Sequence, residues 1–342
     1  MSFLNLNPGI IYFLTLKDTR GKRSSNYYKI GITDESVEKR INQLQTGNPY
    51  QIVKYNAFHS DTAQLIEQYL HKKYAQKRVR FEWFTFKEDE LIVAIEEAKS
   101  YNSKISKLAK RVRELDQKSS NGKVVPPTKK SRGLHEQALD LQSHKIQLSL
   151  KKNKLSALLQ YETSDSTGID GITSVTITKP KPGFKLRLFQ VRYHDLYEKY
   201  CRIPELKCSF RFSNMPTRKE FPSQVEELKQ TEAKVEGLEL SVDSITNKTI
   251  CLNSRIIKYH KQFLETEESL TQIEGDLIFI QLSLRALCAE NEGIEDICKY
   301  ERKKVFMLDK KALENDYPKE YKDCIEEGEP NYRFKVFSSR AY

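Results

Sequence analysis

The sequence predicts an α+β protein: a small mixed domain at the N-terminus, then long helices with an apolar seam and a small strand-containing segment. Residues 10–86 alternate β-favouring runs with amphipathic stretches in the order strand, strand, helix, strand, helix, strand. From Val235 to Leu287 apolar residues recur at alternating spacings of three and four, the period of a coiled-coil helix. Between these regions, residues 164–222 combine Gly168, Gly171 and Pro180 with the β-favouring run Ile172–Thr178.

Ile10–Leu16 is apolar or β-favouring at nearly every position, which predicts a strand buried on both faces, with Tyr12 on the face of Ile10 and Leu14. A polar turn around Gly21 leads to a partner strand, Tyr27–Ile32, where Lys29 alternates with Tyr27 and Gly31. Gly31 leaves space for a group to approach Lys29. Asp34 is the expected N-cap of a helix running to about Gln45. At about 100° per residue Val37, Ile41 and Leu44 share its buried arc, and Arg40 emerges at the edge of that arc. A third strand is expected from Gln51 to Phe58, and a second helix from Asp61 as cap to about Gln76. Its apolar stripe is Ala63, Ile66, Leu70 and Tyr74, and Glu67 falls inside it with His71 one turn on. An inward carboxylate is costly unless it is paired or holds a metal. Phe81–Phe86 is the expected last strand, with Glu82, Phe84 and Phe86 on one face.

Residues 89–117 read as a long basic helix with a seam from Leu91 through Ile95, Ala98, Ile105 and Val112 to Leu115. Residues 118–133 read as a flexible basic linker, 134–161 as a helix, and 162–222 as a small β-containing unit. Residues 223–290 are expected to be a coiled-coil helix, interrupted in quality by Gly275, and 291–342 a C-terminal helix and strand.

Charge is distributed unevenly. The net charge is +11, yet residues 1–133 carry 25 lysines and arginines against 14 acidic residues, while the remainder carries 33 of each. A basic first third implies a polyanionic partner held at that end, and Lys104, Lys107, Lys110, Arg111 and Arg113 are the candidate phosphate contacts. No run approaches the roughly 18–20 apolar residues of a membrane span, so no membrane partner and a cytoplasmic setting are expected. The six cysteines lie in the back half without CxxC spacing and are expected to be reduced thiols.

The tokens Ile10-Ile11-Tyr12, Lys29-Ile30-Gly31, Arg40, Leu44–Pro49, Glu67 with His71, and Glu82-Trp83-Phe84 fall in one order on one pattern of elements. In this, residues 10–86 resemble a GIY-YIG nuclease domain, of the divergent branch found in phage proteins and in the fungal meiotically up-regulated domain. The first motif reads IIY, and Lys29 stands where the second tyrosine is usual, as it also does in nuclease members of the family. The resemblance makes residues 1–88 a GIY-YIG-like nuclease domain. It implies that Tyr12 orients or deprotonates the attacking water with help from Lys29, Arg40 contacts the scissile phosphate, and Glu67 binds one divalent ion, Mg²⁺ or Mn²⁺. His71, Glu82 and Asn48 are expected to support these groups. The substrate expected is DNA, with RNA as a further possibility, and the coiled coil is expected to form a homodimer. The competing reading is a nucleic-acid-binding or scaffold protein whose nuclease fold no longer cuts, with the helical C-terminal half as the working part; taken by themselves, Arg40 and Glu67 could also form a structural ion pair.

Overall fold

The computed structural model describes residues 6–17, 23–239 and 244–338, without the side chains of residues 23–25 and 247. The turn expected around Gly21 and the seam position Val242 lie outside the described residues.

The run Ile10–Leu16 forms β1 (Gly9–Lys17), in which Ile11 to Thr15 are all buried. It pairs with β2 (Arg23–Thr33) on one side and β3 (Gln51–Ser60) on the other. Two short strands, β4 (Arg78–Arg80) and β5 (Trp83–Thr85), complete an antiparallel sheet in the order β3-β1-β2-β5-β4. Each face of the sheet has its own cover. Tyr12 and Leu14 pack with Val37, Ile41 and Leu44 of α1 (Val37–Gln45). Ile11, Phe13, Ile30 and Phe84 pack with Ile66 and Leu70 of α2 (Ala63–Lys73) and with Leu91 and Ile95 of α3 (Glu88–Asp116). Both apolar stripes therefore face the core as their period requires.

Three local details differ from the sequence reading. Ser36, not Asp34, caps α1 by accepting from Lys39 N. Thr62, not Asp61, is the N-cap residue of α2, and Asp61 accepts from Arg113. The last strand is shorter than Phe81–Phe86, because Phe81 and Glu82 form the turn of a hairpin with β4.

The expected linker is structured. Val124 and Val125, β-branched and followed by two prolines, make β6 (Val124–Val125), which runs parallel to β12 (Gly293–Ile294). Thr128 then caps α4 (Lys129–Thr163). The segment 162–222 is not a unit of its own, since each of its strands pairs with a later segment. β7 (Ser166–Ile169) pairs with β11 (Thr246–Ile250), and β8 (Thr173–Thr178) with β15 (Asn331–Val336). β9 (Gly183–Phe184) pairs with β14 (Ile325–Glu326), and β10 (Cys201–Phe212) with β13 (Cys298–Leu308). Short helices α5 (Leu186–Arg192), α6 (His194–Tyr200), α9 (Lys310–Asp316) and α10 (Pro318–Lys322) gather around Phe189 and Leu313.

The long coiled-coil helix is also corrected. It is two helices, α7 (Pro222–Glu236) and α8 (Ser254–Cys288), with β11 between them. Apolar spacing continues across the gap, but Asn253 starts a new helix by accepting from Ile256 N, and Thr246–Ile250 finds a β partner. The seam is satisfied within the chain. Leu228 of α7 packs with Ile146 and Leu150 of α4, Phe263 and Leu264 of α8 with Leu155, and Leu282 joins the core of the first domain. These seam positions are therefore covered by other helices of the same chain. Gly275 has a packing reason: a Cβ there would lie 3.3 Å from Tyr69, whose ring stacks on Tyr101 at 4.6 Å against α8.

All six cysteines are free thiols, as expected. Among the described residues no helix is long and apolar enough to cross a membrane.

Candidate active site

Antiparallel pairing sets Tyr12 directly across from Gly31 and Leu14 across from Lys29, so Tyr12 and Lys29 stand on the same face of adjacent strands. Gly31 is required by the phenol: a Cβ at this position would lie 2.5 Å from Tyr12 Oη. Lys29 is only 6% exposed and forms an ion pair with Glu82, which reaches back from the β4–β5 turn. Trp83, the next residue, is the β5 partner of Lys29. α1 supplies Arg40 from the edge of its buried face, with Nε 3.5 Å from Tyr12 Oη and Nη1 donating to Gln43 at 3.0 Å.

Glu67 joins from the opposite side of the sheet by way of an open strand edge. β5 pairs with β2 only as far as Lys29. Beyond that point Ile30 N donates to Glu82 O at 3.1 Å, Ile30 O lies 2.9 Å from His71 Nε2, and the Glu67 carboxylate accepts from the Ile32 N–H. Glu67 and His71, one helical turn apart, thus finish the edge that β5 leaves unpaired. A carbonyl can only accept, so His71 carries its proton on Nε2. His71 supports the strand that carries Lys29 and Gly31; its hydrogen-bond partner is Ile30 rather than Glu67.

Glu67 is the carboxylate of the site that burial perturbs. Burial first, and then the negative charge of Glu82, push its carboxyl up to about 7; Lys29 and the Ile32 N–H oppose them. Burial also raises the Tyr12 phenol, against the bond from Arg40, so Tyr12 is a neutral phenol at pH 7. The charges of Glu82 and Glu67 both reach Tyr12. Burial lowers the His71 imidazole, which keeps it neutral.

Tyr12, Lys29, Arg40, Glu67 and Glu82 therefore share one site, and Arg40 and Glu67 do not pair with each other among the described ion pairs. Asn48 is not part of it. Its Oδ1 accepts from Tyr50 N, and Gln45 donates to its carbonyl, so its work is to form the turn after α1. The basic residues of α3 divide. Lys104 pairs with Asp276 at 3.6 Å and lies over Phe279, and Arg113 ties α3 to Leu6 O and Asp61; both are engaged within the chain. Arg111 pairs with Glu114 along its own helix, while Lys107 and Lys110 are exposed. One neighbour of the site was missed with β4: Arg78 donates to His71 O at 3.1 Å and covers Phe84. The alternation Arg78, Val79, Arg80 before the aromatic run was its sequence signal.

Among the described residues no group of three or more His, Cys, Asp or Glu side chains forms a metal-binding cluster. Glu67 is the carboxylate best placed to gain from a cation, being half-buried, in the field of Glu82, and beside a lysine already engaged with Glu82.

Comparison with curated proteins and with solved structures gave no match. A family model does match: residues 9–99, running from β1 into α3 and holding Tyr12, Lys29, Arg40, Glu67 and Glu82, are similar to the T5orf172 domain.

Proposed function

We propose that residues 9–99 act as a divalent-cation-dependent endonuclease domain that hydrolyses phosphodiester bonds in DNA, of the GIY-YIG type. The observation that carries this reading is the meeting of Tyr12, Lys29, Arg40 and Glu67 from four elements around a glycine that leaves room beside the phenol. The similarity to the T5orf172 domain supports a nuclease-like role over the same span.

Each residue has work suited to its environment. Arg40 offers a permanently charged fork to the non-bridging oxygens of a phosphodiester, where negative charge grows in the transition state. Tyr12 accepts from Arg40, and its own hydroxyl proton is left to orient the attacking water. The raised phenol makes Tyr12 an orienting group before a base. Lys29, held by Glu82, adds positive charge beside the phenol. Glu67, with water as the remaining ligands, would hold one Mg²⁺ or Mn²⁺. Such an ion supplies Lewis-acid stabilisation of the departing oxygen and lowers the pKa of water.

Incubating the full chain with supercoiled plasmid and Mg²⁺ or Mn²⁺ tests the proposal. Nicking by the unaltered protein, lost in Glu67→Ala and Arg40→Ala variants that keep the native circular-dichroism spectrum, is the expected result. Intact plasmid, branched DNA and RNA after incubation with either metal would overturn it and leave a nucleic-acid-binding scaffold.

A further inference from the structure

The turn between β4 and β5 consists of two residues with opposite fates. Glu82 folds back onto Lys29. Phe81 faces solvent at 75% exposure, the most exposed aromatic side chain among the described residues. Its backbone is left-handed, with φ of 50°, in a tight hairpin turn whose positive-φ position favours glycine, asparagine or aspartate. A phenylalanine is unfavourable here twice over: its ring gains no core contact, and its Cβ crowds the backbone. Neither feature serves the fold. Strain of this kind gathers where a side chain must be presented to a ligand.

The surroundings indicate what that ligand is. The Arg80 guanidinium lies over the Phe81 ring at 5.2 Å, and Arg78 lies over Phe84 at the same distance. Arg78 Nε is buried without a hydrogen-bond partner among the described residues. An exposed ring backed by a cation, next to a second arginine, matches a base with its phosphate better than an apolar surface. The position matches too, since Phe81 is bonded directly to Glu82, which holds Lys29.

We propose that Phe81 is a positioning residue that stacks on an unpaired or unstacked nucleobase beside the scissile phosphate, with Arg80 bracing the ring and meeting the adjoining phosphate. The proposal rests on the endonuclease reading for its substrate class and goes beyond it by assigning how the strand is held. It also implies that the preferred substrate has single-stranded character at the cut.

The test uses the full chain carrying Glu67→Gln, so that binding is measured without cleavage, and a single-stranded oligonucleotide containing 2-aminopurine as the probe. Phe81→Asn is expected to weaken binding by about 10-fold, within the range for loss of one base–aromatic stack. Phe81→Trp is expected to retain affinity and quench the 2-aminopurine. The thermal midpoint of Phe81→Asn should be unchanged or higher, because asparagine tolerates the left-handed turn; a merely structural ring would show the reverse. Should that midpoint fall, Phe81→Leu decides, since stacking requires loss with leucine and retention with tryptophan. Affinity within twofold of the parent for both Phe81→Asn and Phe81→Leu would overturn the proposal, as would equal loss against liposomes or a peptide in place of DNA. The two readings fail separately. A chain that never nicks but loses DNA affinity with Phe81→Asn refutes the nuclease alone; a chain that nicks normally with Phe81→Asn refutes the stacking alone.

Discussion

Replacing Glu67 with glutamine keeps the shape of the side chain and removes its charge, which separates the electrostatic state of the site from its packing. The folded carboxyl titrates at about 7, above its ordinary 4.5, so the folded chain holds this proton more tightly than the unfolded chain does. Its contribution to stability is therefore complete below pH 4.5 and is lost as pH rises through about 7. At about 1.4 kcal/mol per unit the shift corresponds to roughly 3 kcal/mol. Water reaches part of this carboxyl, so about 1–2 kcal/mol is the usable figure. Glu67→Gln should thus be more stable than the parent by about 1–2 kcal/mol at alkaline pH, with the difference vanishing near pH 5. Urea denaturation in the presence of a chelator at both ends of that range measures it. Adding Mg²⁺ to about 100 times its dissociation constant at alkaline pH should then stabilise the parent by about 2.7 kcal/mol and leave the glutamine variant unmoved. Identical pH dependence in the two proteins would refute the burial and Glu82 argument. Equal stabilisation by Mg²⁺ would move the cation away from Glu67.

Four other outcomes are expected. Arg40→Ala and Lys29→Met should each lower plasmid nicking by about 10²- to 10³-fold, with the larger stability loss in the buried Lys29 variant by thermal melting. Gly31→Ala places a methyl 2.5 Å from Tyr12 Oη, so it should displace the phenol, abolish nicking and cost about 1–3 kcal/mol in urea denaturation. Reversing Lys107 and Lys110 to glutamate should weaken DNA binding and reduce its salt slope by about one unit per lysine, whereas Arg113→Ala should cost about 1–3 kcal/mol of stability because its bonds to Leu6 O and Asp61 are lost. Asp116→Ala removes the carboxylate that pairs with the buried Arg285 and accepts from Tyr300, and should destabilise the junction of α3, α8 and β13 by about 3–5 kcal/mol in equilibrium unfolding.

The first domain was legible because its signals are local and periodic. An unbroken apolar run specified β1, and the stripes of α1, α2 and α3 placed Arg40 at an edge and Glu67 inside a buried face. Cap positions slipped by one or two residues: Ser36 rather than Asp34 accepts from Lys39 N, and the Asp61 carboxylate is taken by Arg113 from a remote helix, leaving Thr62 at the start of α2 without a side-chain capping bond. The back half was misread where pairing is remote. Heptad spacing continued through Gly237 and Asn253, and strand partners such as β8 with β15 lie too far apart in sequence for any short window to see.

The same division holds within the site. The sequence by itself determined which side chains could do the chemistry and on which face of its element each would sit, because side-chain direction follows from a period of two or of about 3.6. Only the tertiary structure decided what those side chains meet: that Gly31 opens space for Tyr12, that β5 stops at Lys29 and lets Glu67 reach Ile32, and that Phe81 is left out in solvent at a strained turn. The physical reason is that periodicity fixes orientation about one axis, while distance between axes is set by where a neighbouring strand ends and by which helix closes the edge.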